Sequence, residues 1–407
     1  MKRLWILLLI IAVLVGAYLI VNSRLDTRAR AAVAALKAAG HPTTVEDMEP
    51  AFDTGSESTA NVLKTAAGLL TKEDLDKLKY LDTLGWREDR AGLQAFLKDK
   101  AEVYELVMQA AAMPPADFGM SNWDSCAAKI ATMLPQCAGF RLLLRIQARE
   151  LAQNGRPDSA LKVLAASSAL TYAFAKPGII NHLVSMLGMD SVFSTAAQVA
   201  PKAGVPAIEG LITRFQGLDF KADEYRALQA EAVLAQVKAA AGQTTDVKGL
   251  LGLQGFLGRV LTPLRSYARA RFVEFVVKQL EVLPKPWYEG RDTVARLDTM
   301  GRGKDPLMQL AGACMPNLSM FYERDERMMA WRDIAVLGLR ALVMKKRTGR
   351  LPARLEDFAS DAPPDRFSGK PYVYRVLPDG FMVHSVGTNG KDDNGTAPDD
   401  LVFKVTL

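Results

Sequence analysis

The run LWILLLIIAVLVGAYLIV, residues 4 to 21, constrains this chain more than any other feature. Its 18 residues carry no charge. A helix of that length crosses a hydrocarbon core of about 30 Å with little tilt. Lys2 and Arg3 precede the run, and Arg24, Arg28 and Arg30 follow it. A cleaved signal peptide has a shorter apolar region, about 7 to 15 residues, closed by a small-x-small site. Here the run ends in Val21-Asn22-Ser23-Arg24 with no A-x-A site after it, which favours an uncleaved signal anchor over residues 1–22. No cysteine lies nearby to carry a lipid. The short basic head sets a default of N-terminus inside and the bulk of the chain exported, with the downstream arginines competing.

Beyond the anchor, 49% hydrophobic and 24% charged residues among 407 predict folded protein with room for two or three cores. The net charge of +6 is spread along helical faces, so no nucleic-acid partner is expected. The one tight basic cluster, Lys345-Lys346-Arg347, reads as cations at a helix C-terminus. Three cysteines make no disulfide framework. Cys126 and Cys137 flank one predicted helix and would pair in an oxidising compartment, but buried free thiols are the favoured state.

Residues 23–320 read as helices. The segment 26–40 has helical apolar spacing and stops at Gly40. Thr71 with Asp74 three positions on predicts a capped start for 71–84, and 89–112 continues as one helix to Pro114-Pro115. The clearest unit is 139–175, where one helix ends at Asn154-Gly155 and the next begins near Pro157-Asp158. Ala148, Ala152, Ala160 and Ala165 allow close packing there, as in the helical hairpins that tetratricopeptide-like repeats stack. No clean 34-residue period follows, so the expectation is an irregular helical domain. Further helices are expected at 178–200, 205–217, 222–241, 248–282 and 291–299, with proline or glycine between them.

After residue 320 the pattern changes. A long amphipathic helix over 323–349 closes at Gly349. Period-two alternation then predicts three strands: KPYVYRVL with Tyr372, Tyr374 and Val376 on one face, FMVHSV with Phe381, Val383 and Ser385, and LVFKVTL with Leu401, Phe403, Val405 and Leu407. Pro378-Asp379-Gly380 is the first turn, and HSVGTNGKDDNGTAPDDLVF holds the long second connection. The fold class is therefore mainly α. It has an N-terminal transmembrane helix, an irregular helical domain, and a small α+β domain at 321–407 with a three-stranded antiparallel sheet.

Residues 349–401 resemble the C-terminal domain of the major pseudopilin of type II secretion systems. The resemblance rests on TGRLPARLEDF, DRFSGKPYVYR, the DGF turn and HSVGTNGKDDN…DDLVF, in order and at similar spacing over about 60 residues. The chain lacks the family's prepilin cleavage site, and some three hundred helical residues separate the apolar run from this tail. It is thus not expected to be a filament subunit. As a whole it resembles membrane-anchored bacterial proteins of planctomycete type with a helical middle and a pseudopilin-like tail. The resemblance implies a single-pass inner-membrane protein, exported in bulk, with envelope or secretion-system partners.

In that family the last loop binds calcium through carboxylate, amide and main-chain oxygens. Carried over, the side-chain ligands fall on Asn389 and Asp399 and the main-chain oxygens on Val386 and Lys391. Asn389 replaces a usual aspartate, and Asp392 or Asp400 would restore the charge. The composition by itself also describes a solvated polar loop. His182 reads as a packed or capping histidine, and His384 as exposed on the outer strand face. Glu150 and Asp158 straddle a turn and read as solvated. Trp123, Trp287 and Trp331 read as core. No G-x-S-x-G, H-E-x-x-H, P-loop or G-x-G-x-x-G occurs, so no catalytic residue, organic cofactor or small-molecule substrate is assigned. The expectation is a non-enzymatic scaffold or interaction module, and the alternative an exported enzyme with its site in the helical region.

Overall fold

The computed structural model describes residues 2–44, 46–48, 57–85, 88–114, 116, 123–173, 182, 186, 188–240, 262–301, 318–396 and 399–407. Its contacts divide the chain into two compact units. One comprises Met1–Ala51, Leu228–Lys285 and Gly290–Met320, and the other Phe52–Ala227, Pro286–Glu289 and Phe321–Leu407.

In the first unit, α1 (Lys2–Ala38) is continuous, so the apolar run and the helix expected from residue 26 are one element. At 1.5 Å per residue it extends for about 55 Å. It is long and apolar enough to cross a membrane. Trp5, Leu9, Val13, Leu14 and Leu19 on its first half are exposed, whereas Ala29, Ala32 and Leu36 on its second half are buried. That second half packs on a helix distant in sequence, Thr262–Val282. Arg28 donates twice to Glu274 there, at 2.7 and 2.9 Å, and lies over the Tyr267 ring. Gly40 at φ +80° ends α1: its N–H reaches Lys37 O and the His41 N–H reaches Leu36 O, the two bonds of a Schellman cap.

The second unit begins with α2 (Glu57–Gly68) and α3 (Lys72–Tyr80). Thr71 and Asp74 exchange side-chain-to-backbone bonds in the expected capping box, and a π turn Leu81–Gly85 follows. The helix expected over 89–112 is instead two, α4 (Arg90–Asp99) and α5 (Ala101–Ala111). The break falls at Lys100, which leaves helical geometry while its ammonium pairs with Asp74 and Asp99, both at 3.0 Å. No proline or glycine marks it.

Next come α6 (Trp123–Gln153) and α7 (Pro157–Ala173), the hairpin expected from sequence. Gly155 at φ +71° closes α6, with Arg156 N–H on Leu151 O and Gly155 N–H on Ala152 O. Ala148 and Ala160 are fully buried where the two helices meet. Cys126 and Cys137 both lie within α6, not at its two ends. Eleven positions of helix separate them by about 16 Å, beyond the roughly 7 Å limit of a disulfide. Cys137 is a buried free thiol, pushed up to about 12 by burial. Glu150 is buried, not solvated, because Arg90 on α4 pairs with it at 2.8 Å. Asp158 instead accepts from Gly204 N–H.

The helices α8 (Met189–Val199), α9 (Val205–Gln216) and α10 (Phe220–Ala240) follow, then α11 (Thr262–Val282) and α12 (Trp287–Gly301). The expected segments 178–200 and 248–282 fall partly outside the described residues, as do Cys314 and the Trp123 side chain. The long helix α13 (Leu318–Thr348) closes at Gly349, φ +77°, whose N–H bonds Lys345 O. In its last turn Lys346 donates to Pro201 O and Arg347 pairs with Glu209, so the basic cluster is a docked helix end. Strands β1 (Val373–Leu377), β2 (Gly380–Ser385) and β3 (Leu401–Thr406) form an antiparallel meander in the order β1-β2-β3.

Register places Tyr374, Val383 and Phe403 in one row and Val376, Phe381 and Val405 in the next. This face packs into the core, where Phe403 meets Gly338 of α13 so closely that a Cβ there would lie 2.3 Å from its ring. Val376 and Leu407, expected on the same face, are about half exposed at the sheet's margins. Core residues from α2 to α10 and from the C-terminal segment belong to one cluster, across the 320/321 division drawn from sequence.

Candidate functional site

The sheet carries the candidate site on its second face. Period-two alternation puts Met382 and His384 there, beside Arg375 of β1. Every residue of β2 is buried, including His384, which has no exposed surface. The reading of His384 as exposed is therefore corrected. The described part of the loop after β2 folds back over this face at Gly395, and a covering loop leaves no trace in strand periodicity. Gly395, at φ +73°, lies so close that a Cβ would stand 2.9 Å from Met382 Sδ and 3.5 Å from His384 Nδ1.

The loop is pinned at both ends. Asp365, itself buried, accepts from Val386 N–H (3.1 Å), Ser385 Oγ (2.7 Å) and Phe367 N–H (3.1 Å), joining the DRFSG turn to the end of β2. At the other end, a Cβ on Gly387 would fall 1.9 Å from Asp399 O, so only glycine at φ +63° permits that approach.

Within the loop the expected ligands part into two groups. On the exposed rim, Asn389 Nδ2 donates to Asp393 (2.9 Å) and Asp399 (3.1 Å), while its Oδ1 accepts from Lys391 N–H. The amide nitrogen thus bridges the two carboxylates, and carboxylate and amide oxygens are the donor types that a hard, oxygen-seeking ion takes. Asp393 was not among the sequence candidates; its only signal was the spacing of four from Asn389. Val386 and Lys391 engage through their N–H groups as described.

Beside them Asp392, which is exposed, and Asp400, which is buried, gather around His384. His384 Nε2 is 2.9 Å from Asp392 Oδ1 and 4.0 Å from an Asp400 oxygen. Asp392 also pairs with Arg375 at 2.8 Å and accepts from Asn394 N–H. The His384 hydrogen bond, helped by those partners, holds the Asp392 carboxyl below the usual carboxylate range.

A second polar cluster escaped the sequence reading. His182 is buried as expected, but its Nε2 meets both oxygens of Asp325, at 2.8 and 3.0 Å. Asp325 is pushed up to about 8 by burial, and Glu224, hydrogen-bonded to it, is raised well above the ordinary range for the same reason. Next to them Glu326 is neutralised by Lys221 and by Arg366 at 2.8 Å. Charged residues on amphipathic helices ordinarily face water, so nothing in the local sequence announced this cluster. Trp331 stacks on Phe193, and Trp287 on Tyr322, as core aromatics.

These observations define a mainly helical protein with one apolar N-terminal helix and a small antiparallel sheet that carries a carboxylate-rich loop. No family model, curated protein or solved structure matches the chain.

Proposed function

We propose that this chain is a membrane-anchored envelope protein that acts as a non-enzymatic scaffold or interaction module. One observation carries the reading: the first half of α1 leaves Trp5, Leu9, Val13 and Leu14 largely exposed. An aqueous setting would penalise that surface, whereas a bilayer accommodates it. The helical hairpin of α6 and α7 supports a tetratricopeptide-like interaction surface. The helix–turn–sheet order of residues 318–407 is in keeping with a pseudopilin-like tail, and with docking onto secretion or pilus machinery of a bacterial inner membrane. Calcium held by Asn389, Asp399 and the neighbouring Asp393 would set the shape of that tail. Affinity capture with the full chain from solubilised membranes, with and without calcium, tests this. Recovery of an envelope assembly component in a calcium-dependent manner is expected, and capture of none contradicts the reading.

A second reading, an exported enzyme, takes its support from His182, Asp325 and Glu224. A carboxyl kept protonated beside an imidazole is suited to proton transfer. Its test is loss of any hydrolytic or transfer activity in Asp325→Asn with the fold retained.

A further inference from the structure

We propose that His384, Asp392 and Asp400 form a site for a divalent cation of the zinc–manganese class, separate from the Asn389–Asp393–Asp399 rim. The inference does not depend on membrane anchoring. One ligand atom from each residue lies within 4.8 Å of the other two. With metal–ligand bonds of about 2.0–2.2 Å, neighbouring ligand atoms in a tetrahedral or octahedral site stand about 2.9–3.5 Å apart. The observed 2.9 and 4.0 Å separations from His384 Nε2 bracket that range.

Three further features point to an ion. Asp400 is 5% exposed, and its Oδ1 is buried with no hydrogen-bond partner. A buried carboxylate oxygen left in that state is costly, and a cation offsets the cost. The carboxylates are also already oriented by outer partners: Arg375 and Asn394 N–H hold Asp392, and Gly395 N–H holds Asp400 Oδ2 at 2.7 Å. Finally, the donor set separates the two clusters chemically. Calcium takes oxygen ligands, six to eight of them, whereas one imidazole with two carboxylates is the donor chemistry of borderline divalent metals. The ligands come from β2, from the middle of the loop and from the residue preceding β3, so binding would lock the loop onto the sheet.

The test uses the full chain in detergent micelles, with cobalt(II) as a spectroscopic probe and zinc as competitor. One equivalent of cobalt is expected to give a ligand-field absorption that zinc abolishes and millimolar calcium does not. His384→Gln and Asp400→Asn should each weaken cobalt binding at least about tenfold. Asp399→Ala should leave it unchanged. His384→Gln keeps size and polarity, and its melting temperature reports whether the fold is intact. Absence of the absorption, its persistence in His384→Gln, or an equal loss in Asp399→Ala would each overturn the proposal. Calorimetric calcium titration of the same variants keeps the readings apart, since calcium at the rim is lost in Asp399→Ala and kept in His384→Gln.

Discussion

Asp325 shows how far burial can move a single residue. It has no exposed surface, and its carboxyl is pushed up to about 8 by desolvation. An unfolded aspartate releases its proton near pH 4, so over the interval between these values the folded chain binds more protons. Stability from this group is therefore present at low pH and is lost as pH rises toward 8. Glu224, raised by burial and by Asp325, acts in the same direction, as does Asp223. His182 is lowered by burial and works the other way, adding stability as pH rises to about 6.5 and nothing beyond. Lys221, also lowered by burial, acts toward the alkaline side. Between about pH 6.5 and 8 the carboxyls act with little opposition, so the melting temperature should fall over that interval. Scanning calorimetry of the wild type and Asp325→Asn checks this. The variant should give a flatter profile, and a flat wild-type profile would contradict the assignment.

Among the elements, α13 and β3 meet at the tightest place in the fold. Gly338 leaves no room for a methyl against Phe403. Gly338→Ala should improve helix propensity yet destabilise the protein by about 1–3 kcal/mol through overpacking. Chemical denaturation measures the difference, and a stabilised variant would show that the helix and sheet pack more loosely than described. The elements themselves were largely legible. Gly40, Gly155 and Gly349 each mark a left-handed helix end, and Thr71 with Asp74 marks a capped start, because these signals are local. The strands were legible from alternation for the same reason. The break at Lys100 was not, since no proline or glycine marks it and its ammonium pairs with Asp74 on another element. Nor was the burial of His384, which depends on where a loop of fifteen or so residues comes to rest. Of the loop ligands, the residue types pointed to ions, but only the fold separates Asn389 and Asp399 from Asp392 and Asp400.

On the scale of the whole molecule, proximity in sequence is a poor guide to the units. Buried residues between Ala60 and Phe220 share a core with the C-terminal sheet, and the N-terminal apolar helix belongs with Leu228–Lys285. A linear reading draws boundaries where periodicity changes, whereas the compact units gather segments distant in sequence. The apolar run keeps its meaning at every scale, as uncharged sequence, as the first half of a continuous helix, and as exposed surface. The most direct test of the account is alkaline carbonate extraction of membranes from cells expressing the full chain, with N-terminal sequencing of the product. The account predicts a chain that stays in the membrane pellet with residues 1–22 attached. A soluble product that begins beyond the apolar run would contradict it.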